Sequence, residues 1–201
     1  MSKLIGITGY AQHGKDTTGN YLVEQYGFTR YAFADQLKSM ALVLNPYVDD
    51  TYSRRLYTLV QSAGWDEAKE NPEIRRFLQV LGTEAVRDHL GEDAWVNALQ
   101  KRAQDDGLWD RQGPGHKSQI VVTDVRFPNE AQFIKKHGGE LWRVKRIVKK
   151  DFAMTEDFDN GLGTEHPSEK FIASLKADKT LIARGVDDLY LEIDDIMRRS
   201  A

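Results

Sequence analysis

The sequence predicts an α/β protein in which a parallel sheet of about five strands is flanked by helices. Short apolar segments alternate with amphipathic helical segments along the 201 residues. The first strand runs directly into a glycine-rich loop that opens a helix. The segment Gln119–Thr123 is continuously apolar, which is typical of a strand covered on both faces of its sheet.

The first half of the chain is predicted to be mostly helical. Gly27 ends the first helix, Pro46 follows the second, and Gly82 interrupts a long one, so we expect a kink or two abutting helices there. The predicted elements are strands over 4–8 and 28–33 and helices over 15–26, 34–44, 54–63, 73–90 and 93–103.

The second half resumes the alternation of strands and helices after a surface loop over 107–116. A charged, glycine-containing segment at about 149–166 lacks periodicity and resembles a mobile flap. The predicted elements are strands over 119–123, 140–148 and 179–183 and helices over 129–137 and 186–199.

Composition restricts the class of protein. The length suits a single domain over 1–201, with a helical insert at about 45–115. The absence of cysteine excludes disulfides, thiolate zinc sites and cysteine nucleophiles. A formal net charge of −3 gives no electrostatic reason to expect binding to long nucleic acid.

The first residues, MSKLIGITG, lack the basic and apolar regions of a signal peptide. No apolar run of about 18 residues is present to span a bilayer. We therefore expect a cytoplasmic protein without a membrane partner.

Residues Gly9, Gly14 and Lys15 fit the pattern G-x-x-x-x-G-K of a phosphate-binding loop. Glycines allow successive N–H groups to turn around an anion, and the helix that begins near Lys15 adds its positive dipole end. Lys15 adds a full charge for the outer phosphates. Asp16 stands where Ser or Thr usually binds magnesium, with Thr17 and Thr18 behind it. The loop predicts nucleoside triphosphate binding.

Charged residues follow the other strands, where ligands bind in an open parallel sheet. Asp124 ends an apolar strand and is predicted to reach a magnesium ion; the alternative is a helix cap or a solvated turn residue. Arg126 suits a phosphate or carboxylate, and equally an ion pair with Glu130 or Asp124. Arg143 and Arg146 are expected to follow the fourth strand.

Other candidates have an equally ordinary explanation. Asp35 suits a helix cap nearly as well as a substrate contact, and an exposed position is the default for Lys38. Most helical arginines, Arg87 among them, are solvated, and Trp95 is more typical of a core. His13 is compatible with a solvent-facing position in its loop. Nothing in the sequence resembles a Ser-His-Asp triad or a cluster of His and carboxylate metal ligands.

The strings GYAQHGKDTT, FADQLK, RRFLQVLGTEAVRDHLGEDAWV, VVTDVRFPNEA and TEHPSE resemble the deoxynucleoside monophosphate kinases of bacteriophages. The Gly-Lys-Asp-Thr form of the loop and the string D-V-R-F-x-N-E are the specific markers. The resemblance implies a three-layer P-loop kinase fold of the adenylate kinase type. It also implies transfer of the γ-phosphoryl group of ATP to a deoxynucleoside monophosphate, with Mg²⁺, in the host cytoplasm if the chain is phage-encoded.

The resemblance also implies roles for individual residues, and the insert at 45–115 would bind the acceptor. The ATP-binding residues would be Gly9, Ala11, His13, Gly14, Lys15, Asp16, Thr17 and Thr18, with Asp16, Thr17 and Asp124 at the metal. The acceptor would be lined by Asp35, Lys38, Arg87, Trp95, Asp124, Arg126 and Glu130. The catalytic residues would be Lys15, Asp124, Arg126 and Arg146.

Two other functions suit the same loop. One is a P-loop kinase that acts on a modified base in phage DNA, which the acidic charge balance disfavours. The other is a nucleotide-switched assembly ATPase that binds a protein partner. The sequence is compatible with a monomer and with a homodimer.

Overall fold

The computed structural model describes residues 3–48, 53–110, 112–115, 117–150, 153–156 and 171–199. The chain forms two compact units, the first made of Met1–Ala32 and Gln100–Ala201 and the second of Phe33–Leu99. Within the described part of the chain, no helix has both the length and the apolar character needed to cross a membrane.

The first unit is built on a six-stranded sheet, of which five strands are parallel. The parallel strands are β1 (Lys3–Thr8), β2 (Thr29–Tyr31), β3 (Gln119–Val122), β4 (Glu140–Lys150) and β6 (Lys179–Ala183). They lie in the order β2-β3-β1-β4-β6, and β5 (Ala153–Glu156) pairs antiparallel with the end of β4. The prediction of an α/β fold with about five parallel strands is confirmed.

Helices cover both faces of this sheet, which gives the unit three layers. On one face Ile5 and Ile7 of β1 pack with Leu22 of α1 (Lys15–Tyr26) and Leu189 of α8 (Val186–Arg199). On the other face a Cβ atom on Gly6 would lie 2.9 Å from the side chain of Ile134 in α7 (Pro128–Lys136). Helix α7 can therefore approach β1 this closely because residue 6 is a glycine and has no side chain.

A group of tyrosines joins α1 to α8. The hydroxyl groups of Tyr21 and Tyr26 donate to Oδ1 of Asp194 at 3.0 and 2.7 Å. The ring of Tyr21 stacks on Tyr190 with centroids 4.0 Å apart. Burial and the hydrogen bond to Asp194 raise the pKa of Tyr26 to about 12. The helix that follows the glycine-rich loop is thus anchored to the C-terminal helix by polar as well as apolar contacts.

The second unit is helical. Its elements are α2 (Phe33–Leu44), α3 (Leu56–Ala68), α4 (Pro72–Val80), a π-helical segment (Leu81–Arg87), α5 (Asp88–Leu90) and the first part of α6 (Ala94–Asp105). The expected irregularity at Gly82 is present as the π-helical segment. The side chain of Leu37 would lie 3.0 Å from a Cβ atom on Gly82, so this glycine lets α2 approach.

Several element boundaries differ from those predicted. β2 spans three residues, and α3 begins at Leu56 with non-helical dihedral angles at Gly64. Part of the predicted flap at 149–166 is regular, because β5 pairs with β4 through Ile147 and Glu156. The rest of that flap lies outside the described residues. The second unit begins at Phe33, upstream of the predicted insert, and the acceptor-binding role of that insert stays a prediction.

Candidate active site

The glycine-rich loop between β1 and α1 has the backbone conformation that its sequence predicts. Gly9 and Gly14 adopt φ values of +150° and +97°, and Gln12 adopts +60°. A Cβ atom on Gly9 would lie 2.6 Å from the carbonyl oxygen of Val144 in β4. Glycine is required at residue 9 because its φ is positive, and because any side chain there would push the loop away from the sheet.

Lys15 lies at the N-terminus of α1 and is buried, with 8% of its surface exposed. Its Nζ atom donates to the carbonyl oxygen of Tyr10 at 2.6 Å, so the side chain folds back across the loop. An ammonium group and the positive end of α1 therefore lie at the same loop. This arrangement suits a phosphate group.

Thr18 is fully buried and closes the first turn of α1. Both its backbone N–H and its hydroxyl donate to the carbonyl oxygen of Gly14, each at 2.9 Å. The hydroxyl thus stabilises the helix start, and a contribution of Thr18 to nucleotide binding stays a prediction.

His13 is buried, with 3% of its surface exposed, so the interpretation that it faces solvent is wrong. Its ring meets the ring of Tyr10 edge-on at 5.6 Å. The backbone N–H of Arg146 donates to Nδ1 of His13 at 3.4 Å. The imidazole therefore fills the space between the loop and β4, a role that its position in the sequence did not reveal.

Asp16 is exposed, and Oδ1 of its carboxylate lies 3.6 Å from Nη2 of Arg30 in β2. No group of three or more His or carboxylate side chains suited to a metal occurs in the described part of the chain. Mg²⁺ in nucleotide sites needs only one or two protein carboxylates, because phosphate and water complete its shell. The oxygen donors Asp16, Thr17 and Asp124 fit this requirement chemically.

Asp124 follows β3 at the carboxyl end of the sheet. The backbone N–H of Thr123 donates to the carbonyl of Tyr31 in β2, and that of Val125 donates to Ile7 in β1, each at 3.0 Å. These bonds fix the backbone on both sides of Asp124. The backbone of Asp124 is thereby held close to the carboxyl ends of β1, β2 and β3.

Glu130 has a structural contact that explains its burial. Its Oε2 atom accepts from the backbone N–H groups of Arg126 and Phe127 at 2.8 and 3.0 Å. The carboxylate thus caps the start of α7, where the helix dipole favours a negative charge. The backbone N–H of Arg126 is thus bound by this carboxylate, and an ion pair of its guanidinium with Glu130 or Asp124 stays a prediction.

Arg143 and Arg146 lie within β4, so the prediction that they follow this strand is wrong. The strand is 11 residues long and carries charged residues on its way to β5. Arg146 is exposed beside His13. Arg143 is half-buried and extends to the 3₁₀ turn Ile172–Ser174.

The remaining predicted residues belong to the second unit. Asp35 lies in the first turn of α2, inside the helix and not before it as a cap would be. Nζ of Lys38 lies 6.0 Å from the ring centroid of Trp65. Arg87 is buried in the π-helical segment. The indole N–H of Trp95 donates to the carbonyl of Gly82 at 2.8 Å, which is the core role that its residue type predicted.

A family model for deoxynucleotide monophosphate kinases matches residues 42–172, more than half of the chain. The chain belongs to the deoxynucleotide monophosphate kinase family. The predicted family and a phosphotransferase activity are therefore confirmed. The predicted site residues stay predictions.

Two curated relatives span nearly the whole of this family member. One, from Acanthamoeba polyphaga mimivirus and provisionally named a deoxynucleotide monophosphate kinase, is 31% identical over 94% of this chain and 93% of its own. The deoxynucleoside-5'-monophosphate kinase of Escherichia phage T5 is 24% identical over 96% of this chain and 95% of its own.

Solved structures of two small-molecule kinases are also similar to this chain. Shikimate kinase from Aquifex aeolicus has a TM-score of 0.43 and 11% identity, over 98% of this chain and 97% of its own. Dephospho-CoA kinase from Campylobacter jejuni has a TM-score of 0.44 and 14% identity over the same shares.

Arg30 is a candidate residue that the sequence did not single out, and Arg143 is one that it named without a role of its own. Arg30 faces Asp16 from a three-residue strand, and Arg143 lies opposite Thr8 in the register of β1 and β4. In each case the sequence shows a charged residue inside a predicted strand, and this was the available indication of a role at the site. The pairing of strands that are distant in the sequence is needed to interpret it.

Proposed function

We propose that this kinase transfers the γ-phosphoryl group of ATP to a deoxynucleoside 5'-monophosphate and forms ADP and a deoxynucleoside diphosphate. One observation carries the proposal: the loop from Gly9 to Lys15 is folded as a phosphate cradle beside Asp124 at the carboxyl ends of β1 and β3. Phosphoryl transfer depends on positioning and charge neutralisation more than on a covalent catalyst. The family of the chain favours this acceptor over a base in DNA or an assembly switch.

The donor triphosphate would bind at the loop. The backbone N–H groups around Gly14 and the N-terminus of α1 would receive its phosphate oxygens. The Nζ atom of Lys15 would exchange the Tyr10 carbonyl for a phosphate oxygen, because an ionic acceptor binds an ammonium group more strongly than a neutral one.

Magnesium would be held by Asp16, Thr17 and Asp124, directly or through water. When bound, the ion neutralises charge on the transferring phosphoryl group and aligns the triphosphate. The backbone of Asp124 is held on both sides by the hydrogen bonds of Thr123 and Val125.

The acceptor would be positioned by charged side chains. We infer that Asp35, Lys38 and Arg87 contribute to its binding, and that the positive charges of Arg126 and Arg146 would stabilise the transition state. Trp95 and Glu130 would act through packing and capping, given the hydrogen bonds that they make. The attacking atom is a phosphate oxygen, so no strong general base is required.

The test is a panel of labelled ATP with each deoxynucleoside monophosphate, each ribonucleoside monophosphate and duplex DNA, with and without Mg²⁺. We expect label in deoxynucleoside diphosphates, dependent on Mg²⁺. Label in DNA alone, or no stimulation of ADP formation by any monophosphate, would contradict the proposal. Gel filtration of the same sample would decide between the monomer and the homodimer, and cell fractionation would test the predicted cytoplasmic location.

A further inference from the structure

Arg143 holds a segment of backbone that lies beside the phosphate-binding loop. Its Nη2 atom donates to the carbonyl oxygen of Ile172 at 2.8 Å, to that of Leu175, and at 3.5 Å to that of Ala173. These carbonyls belong to the 3₁₀ turn Ile172–Ser174 and the residue after it. One guanidinium nitrogen thus meets three acceptors of one turn.

The position of Arg143 in the sheet places these hydrogen bonds next to the glycine-rich loop. In the parallel register Arg143 pairs with Thr8, the last residue of β1, and Val144 follows with its carbonyl against Gly9. The turn itself is seated in the core, since Ile172 and Leu175 are buried. Arg143 therefore connects the strand that borders the loop to the turn.

A cavity of about 220 Å³ lies between these elements. Its lining includes Gly9 and Tyr10 from the loop, Ile172 and Ala173 from the turn, and Arg143 between them. The distance between the two walls thus depends on how firmly Arg143 holds the turn.

Burial of the Arg143 guanidinium costs desolvation free energy, and this cost is offset only if its positive charge has a role. Nε of Arg143 is buried and has no hydrogen-bond partner in the part of the chain that the structure describes. An apolar side chain of similar length would fill the same space without this desolvation cost. A planar guanidinium, however, keeps its charge and presents its donors in fixed directions, which lets it form hydrogen bonds to several carbonyls at once.

We propose that Arg143 is a positioning residue that fixes the turn at 172–175 as the second wall of the nucleotide site beside Gly9 and Tyr10. The inference rests on the proposed function and adds a residue to it. Arg143 acts through the turn and the cavity, and makes its own bonds to protein carbonyls.

The variants Arg143→Met and Arg143→Lys test this role, with Arg102→Met as control. Met keeps an unbranched stem but loses all donors, and Lys keeps a charged donor. Arg102 is an exposed arginine of α6 that pairs with Asp106. We expect Arg143→Met to weaken ATP affinity and raise the KM for ATP about tenfold, because the turn that lines the site is no longer held, with a smaller change in the KM for the acceptor. Arg143→Lys should restore most of the loss.

Hydrogen exchange provides a second measurement that does not depend on turnover. The N–H groups of Ser174 and Leu175 donate to the carbonyl of Phe171. We expect them to exchange faster in Arg143→Met, while those of α1 keep their protection. ATP binding by calorimetry, below the melting temperature of every variant, completes the comparison.

The outcomes separate this inference from the proposed function. An active wild type whose Arg143→Met variant keeps the ATP affinity and the exchange rates would overturn the inference. A loss of affinity that Lys does not restore at all would also overturn it. An inactive wild type would refute the proposed reaction, and the exchange and ATP-binding measurements would still decide on Arg143. If Arg143→Met does not fold, the Lys variant must show a partial loss of ATP affinity and faster exchange at the turn, or the inference fails.

Discussion

The carboxylate of Asp16 lies 3.6 Å from Nη2 of Arg30, so the first turn of α1 faces a cation of β2. Because the side chain of Asp16 is 78% exposed, the ion pair contributes little to stability. The same exposure leaves its oxygens accessible to a metal ion. The pair therefore balances the negative charge that Asp16 brings to a loop built for phosphate.

Replacement of Asp16 by Asn tests its proposed role at the metal. We expect the Mg²⁺ concentration for half-maximal rate to rise about tenfold, the effect of losing one charged ligand. The free energy of unfolding should change by less than about 1 kcal/mol. Mg²⁺ titrations of the rate and urea unfolding measure the two effects. Asp195→Asn, which breaks the exposed pair with Arg199, is the control and should leave the Mg²⁺ dependence as it is.

Lys15→Ala should abolish most of the transfer activity while the protein stays folded. The side chain donates to the carbonyl of Tyr10, and the loss of this hydrogen bond should cost about 1 kcal/mol of stability. The loss of a charge at the transferring phosphoryl group should lower kcat by about 10² to 10³. Single-turnover assays and thermal melts measure both. A collapse of thermal stability that matches the loss of activity would indicate a structural role, and Lys101→Ala, on the surface of α6, is the control.

Glu130 illustrates where the sequence and the structure differ. Its position in the string that resembles a kinase family suggested a substrate contact, while its hydrogen bonds show a capping carboxylate. Glu130→Ala should lower the free energy of unfolding by about 1 to 2 kcal/mol, because two N–H groups of the cap lose their acceptor. Glu130→Gln, which keeps an oxygen acceptor, should lose less.

The activity of these variants per folded molecule should stay within about threefold of wild type. Urea unfolding and kinetics at saturating substrate are the measurements. Glu73→Ala removes an exposed glutamate from the first turn of α4 and serves as control. A large rise in the acceptor KM of Glu130→Gln with unchanged stability would instead assign the carboxylate to the substrate.

The local parts of the fold could be predicted from the sequence. The loop and the helix after it follow from glycine spacing, and Gln119–Val122 follows from an unbroken apolar run. These features depend on residues that are adjacent in the chain. The irregular helix at Gly82 was also predicted, but its π-helical form was not, and the residues that lie against Gly82, Leu37 and Trp95, are distant from it in the chain.

The parts that could not be predicted depend on distant pairings. The burial of His13 requires Arg146, which is 133 residues away, and the role of Arg143 requires carbonyls about 30 residues later. The sequence predicted a strand over 140–148 but not the strands that pair with it. Only the register of β4 against β1 places the charged residues of β4 beside the phosphate-binding loop.

Stability at alkaline pH should report on the tyrosines that bind Asp194. Burial and the Asp194 hydrogen bond raise the pKa of Tyr26 from 10.0 to about 12. Between these values the folded protein keeps a proton that the unfolded chain has released, so the free energy of unfolding falls as the pH rises. Its contribution is complete below pH 10.0 and is lost by about pH 12.

Tyr26→Phe lacks this titration and should therefore show a shallower decline over the same pH range. Urea unfolding at several pH values between about 9 and about 12 is the measurement. Tyr57→Phe, a change at a half-exposed ring of α3, should decline as steeply as wild type. Equal slopes for Tyr26→Phe and wild type would contradict the assignment.

Gly19 allows α1 to lie against the end of β3. A Cβ atom there would be 2.3 Å from Cγ2 of Thr123, so Gly19→Ala should destabilise the protein by about 1 to 3 kcal/mol despite the better helix propensity of alanine. Adding Thr123→Ser, which removes that methyl group, should restore part of the loss. Thermal melts of the single and double variants measure the coupling. Asn20→Ala, at an exposed position of the same helix, is the control.

The hydrogen bond between Lys15 and the Tyr10 carbonyl has a thermodynamic consequence for ligand recognition. The loop already holds its curvature through this bond, through Gly9 against β4 and through His13 beneath it. Ordering a loop residue costs about 1 to 2 kcal/mol of conformational entropy, and this cost has been met during folding of the chain. A nucleotide would therefore meet a loop that is already ordered and would have to displace only the Tyr10 carbonyl from Lys15, so more of its interaction free energy would be available as affinity.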